Sequence, residues 1–500
     1  MKSITINTIE ERLLSDQKKD YFFKIIWTIP AILKLVLEDS KIAILSLFVF
    51  LICSFKIIKK PENALLALPY FVILSPIAGF FNALGGKFLL SDFLFILLFI
   101  QFLFLVVQRV KNKLIIFNKL LTLLFLFFIA SFVTGLIFNT LESLKPLLFL
   151  FQLQIIYFYT KTYAQTEKEQ SSIIKEWIFA TFLGGIILIY SFLTGKVLQD
   201  FAVTDSVIDI REYYEEHGLE YLFRATYYYS GFIFLVGISV IIMSVKIFFT
   251  GYKKKTILYL FVLFVLLLAL ILMNNKTVIF SLLIIICYSI FLLIKNGIIN
   301  KRKFLINSLV VVCLLCFGMF PLVMNFFDSD QLSLMINRFT EPSSFFARTE
   351  VYRTALSQWI LYPFQIFMGM GPDFLDNSGV IDLAVEFKKS AETGHIEGTV
   401  DSGWISYLIE LGVLAFTILI VVYFKSMITA YKNFINRRRS SAGFIPFCVF
   451  LSLLFTLIAM STQMLGYTKT CWLPFQLIIF GLSYKANDYS GMTNVLLNEA

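Results

Sequence analysis

Residues 256–294 read TILYLFVLFVLLLALILMNNKTVIFSLLIIICYSIFLLI. Two apolar runs, 256–273 and 275–294, flank a turn of only a few polar residues, and each is long enough to cross about 30 Å of hydrocarbon as a helix. So tight a turn reverses the chain at once, and the stretch spells a membrane hairpin. The rest of the chain is built of the same material. Of 500 residues 58% are hydrophobic and 15% charged, and the mean hydropathy is +0.82. Soluble domains use roughly 45–50% apolar residues, so the excess here needs lipid as its solvent.

Working outward, runs of spanning length occur at 41–57, 62–83, 88–108, 114–138, 145–160, 173–195, 223–248, 304–326, 404–424, 443–461 and 467–483. A weaker run, FFKIIWTIPAILKLVL at 22–37, is interrupted by Lys24 and Lys34 and fits either a span or an interfacial helix. The predicted fold is therefore all-α: a polytopic membrane helix bundle of 13–14 transmembrane helices with one large extracytoplasmic loop. Its expected divisions are an N-terminal tail and weak first span (1–40), a bundle (41–325), the loop (326–402), C-terminal helices (403–484) and a tail (485–500).

Lys and Arg set the orientation, because they alternate along the connections. Lys56, Lys59 and Lys60; Arg109, Lys111 and Lys113; Lys161, Lys168 and Lys175; Lys253 to Lys255; Lys301 to Lys303; and Arg437 to Arg439 mark one side as cytoplasmic. The acidic loop 196–222 and the long segment 325–400 then fall outside. The net charge of +10 is spent on these orienting groups, and no nucleic-acid partner is expected. The first 20 residues are polar, with charges of both signs and no apolar core, so no cleaved signal peptide is expected. All six cysteines lie in or at the end of apolar runs, where a thiol packs as a small hydrophobe; Cys313 and Cys316, despite their CxxC spacing, have no second ligand pair nearby. Phe supplies 57 residues spread over every run, which reads as lipid-facing bulk.

Charge at membrane depth is costly and marks candidate sites. Arg224 opens the run from 223; Lys276 sits in the outer turn; Arg338, Arg348 and Arg353 populate RFTEPSSFFARTEVYR; Asp401 stands at the mouth of DSGWISYLIELG, with Glu410 deeper in it. One cation at a helix end can simply snorkel to headgroups. Five on the face that the positive-inside bias should deplete suggest a bound anion, and the Arg fork suits a diphosphate. His395 precedes Asp401 in the outer loop and is a further acid–base candidate. Within that loop ARTEVYRTALSQWILYP spaces Ala355, Leu356, Trp359 and Ile360 as an amphipathic helix, ended by Pro363; Gly369, Gly371 and Pro372 then make a tight turn.

In order, these pieces resemble the superfamily of O-antigen ligases and O-antigen polymerases over roughly residues 220–425. The resemblance rests on Arg224 with Gly231, the turn NNKTVIF, the series Arg348, Tyr352, Pro363, Gly369 and Gly371, and the L-x-x-L-x-E-x-G-like DSGWISYLIELG with Glu410 and Gly412. Where the ligases have a His-Asn pair this chain has Asp401 and Ser402, and its turn carries Lys276 instead of Arg; the acidic residue at that mouth inclines the reading toward polymerase.

The resemblance implies cofactor-free, metal-independent glycosyl transfer on the outer face of a bacterial inner membrane, with an undecaprenyl-diphosphate-linked glycan as donor. Arg224, Lys276, Arg338, Arg348 and Arg353 would bind the diphosphate, and Asp401, or failing it His395 or Glu410, would be the catalytic base. Membrane lipid and a chain-length regulator protein are the further expected partners. Transfer of finished glycan to a lipid or protein acceptor, as a ligase does, shares most of this site. A lipid-linked glycan flippase is the reading from another class; it expects charge along the middle of several spans, and these are nearly free of it.

Overall fold

A computed structural model describes residues 22–33, 39–74, 81–83, 86–88, 90–111, 119–138, 145–164, 166–194, 232–250, 254–273, 276–298, 353, 355–357, 359–371, 403–438, 443–460 and 472–485. Every strong apolar run except 304–326, which lies outside those residues, carries a described helix. They are α1 Phe22–Leu33, α2 Asp39–Lys59, α3 Asn63–Leu74, α4 Leu90–Lys111, α5 Lys119–Phe138, α6 Lys145–Tyr163 and α7 Glu167–Thr194; then α8 Phe232–Thr250, α9 Lys254–Leu272 and α10 Lys276–Lys295; and finally α11 Pro363–Met368, α12 Gly403–Arg437, α13 Phe444–Ala459 and α14 Trp472–Lys485. Five are long and apolar enough to cross a membrane by length and composition, and shorter apolar helices fill in between. Among the described residues the fold is all-α apart from one small hairpin, in which Phe81–Ala83 pairs antiparallel with Gly86–Phe88. That hairpin corrects the run 62–83, which carries the helix Asn63–Leu74 but ends in the strand Phe81–Ala83.

The weak first run does not lie flat. Phe23, Trp27 and Ala31 of α1 are buried, the Lys56 ammonium near the end of α2 sits 3.0 Å from the Phe22 ring centroid, and Trp27 meets Phe71 of α3 edge-on at 5.0 Å. Alpha1 thus runs antiparallel to α2 inside the bundle. Phe plays two roles: Phe71, Phe95, Phe158, Phe232 and Phe234 are fully buried, whereas Phe48, Phe104 and Phe280 face outward. Lipid tails offer no hydrophobic drive between helices, so close approach through small residues has to supply it. A Cβ added at Gly237 would come within 2.8 Å of the Phe455 ring, and one at Gly481 within 2.6 Å of Thr160 Cγ2. Of the cysteines, Cys53, Cys287 and Cys448 are free thiols; the CxxC pair lies outside the described residues.

Contacts between helices test the alternation of charge. Gln101 of α4 donates to the Ile57 carbonyl (3.1 Å) and accepts from Tyr159 of α6 (2.9 Å). Thr160 meets Gly481 of α14, and Arg438 after α12 donates to Asn296 after α10 (3.2 Å). All these contacts fall toward the helix ends that lead to Lys/Arg-bearing loops. At the opposite end, the Trp404 indole N–H donates to Leu457 of α13 (3.1 Å). The helix ends that share a sign of loop therefore share a face of the bundle.

Candidate functional site

Helix α12 is 35 residues long, but Gly412 breaks it with φ 75° and ψ 168°. In an unbroken helix the carbonyls of Ile409 and Glu410 would accept N–H groups four residues on. Instead Met370 N–H donates to Ile409 O and Gly371 N–H to Glu410 O, both at 3.0 Å. The donors belong to the glycine turn at residues 369–371. Non-helical backbone at membrane depth is tolerated only where protein satisfies it, and here a second broken element does so.

The loop segment is shaped for this fit. Residues 353, 355–357 and 359 are helical. Pro363 does not merely end that helix: it occupies the first position of α11, where its missing N–H costs nothing. Alpha11 closes at Gly369 (φ 88°), whose N–H donates to Gln365 O at 2.7 Å, and Gly371 has φ 97°. A Cβ at Gly369 would lie 2.2 Å from Glu410 O, and one at Gly412 would lie 2.4 Å from Gly369 N. The two glycines therefore cross backbone on backbone. Ala355, Trp359, Met370 and Ile409 form a separate small core beside them, distinct from the main one.

Two hydroxyls from α5 fasten the crossing. Ser131 donates to the Glu410 carbonyl. The Thr134 hydroxyl lies 3.1 Å from Gly369 O and 2.9 Å from Ser131 O, so its one proton is shared between them. Neither residue was a candidate from sequence; the signal was two hydroxyls three apart on one face of a helix that is otherwise apolar from Leu123 onward. Of the sequence candidates, Glu410 is buried at 1% exposure in the break, next to buried Tyr407 and Ser406. Arg353 is exposed at the start of the loop segment, and Lys276 is the first residue of α10. Asp401, His395, Arg224, Arg338 and Arg348 lie outside the described residues.

A second charged cluster was also not foreseen. Glu176 of α7, 2% exposed at its side chain, pairs with Lys24 of α1 at 2.9 Å and accepts the Tyr70 hydroxyl of α3. It lies toward the face opposite the loop and ties α1 to the bundle.

Residues 261–420 match the family model described as O-antigen ligase. The match takes in most of α9, all of α10, the loop segment and the break at Gly412, but neither Arg224 nor the α5 hydroxyls. No curated protein matches the chain.

Proposed function

We propose that this chain, whose residues 261–420 match the O-antigen ligase family model, is the polymerase that joins lipid-linked repeat units in surface-polysaccharide assembly. The family gives the coarser function, glycosyl transfer on lipid-linked glycans. What supports this reading is the joint at Gly369 and Gly412, which ties the described loop segment, with Arg353, to the broken helix that carries Glu410. In the proposed reaction the acceptor sugar hydroxyl attacks the anomeric carbon of the donor glycan. The bond from that carbon to the diphosphate oxygen breaks, and undecaprenyl diphosphate leaves. Asp401 takes the hydroxyl proton, and Arg224, Lys276, Arg338, Arg348 and Arg353 neutralise the charge that grows on the leaving group. No metal is needed for that role. The acidic Asp401–Ser402 pair in place of a His-Asn pair supports an acceptor that is itself a lipid-linked unit.

The site would face the extracytoplasmic side of a bacterial inner membrane, with residues 326–402 as its roof and a chain-length regulator as the partner that sets product size. The test is chain length in cells carrying Arg348→Ala or Arg224→Ala at normal membrane levels. Single repeat units are expected where long chains were made; an unchanged ladder defeats the proposal. A ladder that still forms but stays on its polyprenyl carrier would instead mark the ligase.

A further inference from the structure

The outer loop carries a surface that its aqueous placement does not explain. Between Arg353 and Asp373 there is no charged residue. One face of this stretch, with Ala355, Trp359 and Met370, packs on α12. The other face presents Ile360 (60% exposed), Leu361 (74%), Phe364 (59%) and Phe367 (55%). Four large apolar side chains on one short segment are an abnormal patch for a water-facing loop.

The exposed face also changes along its length. It begins with Arg353 and Ser357 and continues with Ile360, Leu361, Phe364 and Phe367 up to the glycine turn. That turn is deep. Its partners Ile409 and Glu410 lie six and seven residues inside α12 from Gly403, roughly 10 Å along the axis at 1.5 Å per residue. The helices that receive it, α5 and α12, also expose apolar side chains, among them Val133 and Leu414.

We propose that residues 353–371 form a re-entrant element that dips into the outer leaflet, with Ile360, Leu361, Phe364 and Phe367 immersed among phospholipid acyl chains and Arg353 at headgroup level. A polar-to-apolar gradient that ends at a buried backbone joint is what such a descent requires. This does not rest on the catalytic reading: a ligase, a polymerase or an inactive chain would be immersed alike.

The test places a benzophenone amino acid singly at positions 357, 360, 364 and 367 of the full chain, reconstituted in vesicles of phosphatidylethanolamine and phosphatidylglycerol, and reads the adducts by mass after illumination. Phospholipid adducts are expected at 360, 364 and 367, several-fold above those at 357. As a second measurement, nitroxides at the same positions should favour molecular oxygen over a water-soluble nickel complex increasingly from 357 to 367. Adducts to protein alone, adducts to added polyprenyl lipid but not to phospholipid, or equal nickel access along the segment would each overturn the proposal.

Discussion

A methyl group at Gly412 would sit 2.4 Å from Gly369 N and 2.5 Å from Phe367 O, both backbone atoms that cannot swing aside. Gly297 makes the comparison clean. It too has positive φ (68°), closing α10 as a Schellman cap with Gly297 N–H on Ile294 O and Ile298 N–H on Leu293 O, but a Cβ there meets nothing within 4 Å. Gly297→Ala should therefore cost only the left-handed backbone term, about 1–2 kcal/mol. Gly412→Ala and Gly369→Ala should cost that and the overlap besides, which in practice parts the loop from the span. Thermal unfolding in detergent should fall clearly further for Gly412→Ala than for Gly297→Ala, and chain length should collapse in the first alone. The need for glycine in the loop turn was legible from the G-x-G before Pro372. That its counterpart was Gly412, 43 residues on from Gly369, was not: a glycine inside an apolar run looks like any small packing residue until the partner backbone is in place.

At the scale of elements, apolar run length located nearly every helix, because membrane thickness imposes one strong period on sequence. It failed where another constraint won. The run 62–83 is apolar over most of its length, yet its described helix is Asn63–Leu74 and Phe81–Ala83 is a strand of a hairpin. The run 22–37, interrupted by Lys24 and Lys34, left a span and an interfacial helix both open. Its Lys24 is the reason that it enters the bundle, since Glu176 waits for it nine residues into α7. A buried ion pair is weak evidence for stability in itself, but removing one partner leaves a charge stranded, at roughly 3–5 kcal/mol. Glu176→Ala should therefore destabilise the fold strongly and Lys24→Met less, because Tyr70 still donates to Glu176. In a double-mutant cycle read by thermal unfolding the two effects should be clearly non-additive. If Lys24→Met costs as much in a Glu176→Gln background as in the parent, the pair does not anchor α1.

Over the whole molecule, sidedness was the most legible property, because orientation is written in Lys and Arg and folding does not rewrite it. The links from Ile57 to Gln101 and Tyr159, from Thr160 to Gly481 and from Arg438 to Asn296 join helix ends that charge had already put together. The joint was legible as two glycine motifs but not as an assembly: Ser131 and Thr134, which hold the loop segment to the broken helix, come from a helix outside the matched region. Glycosyl transfer by that assembly is the central claim, and reconstitution tests it most directly. The purified chain in vesicles, given only lipid-linked repeat units and a chelator, should convert them into a ladder of longer lipid-linked glycans and release one polyprenyl diphosphate per bond formed. Lipid-linked units that cross the bilayer without lengthening, or that stay single with no diphosphate lipid released, would contradict it.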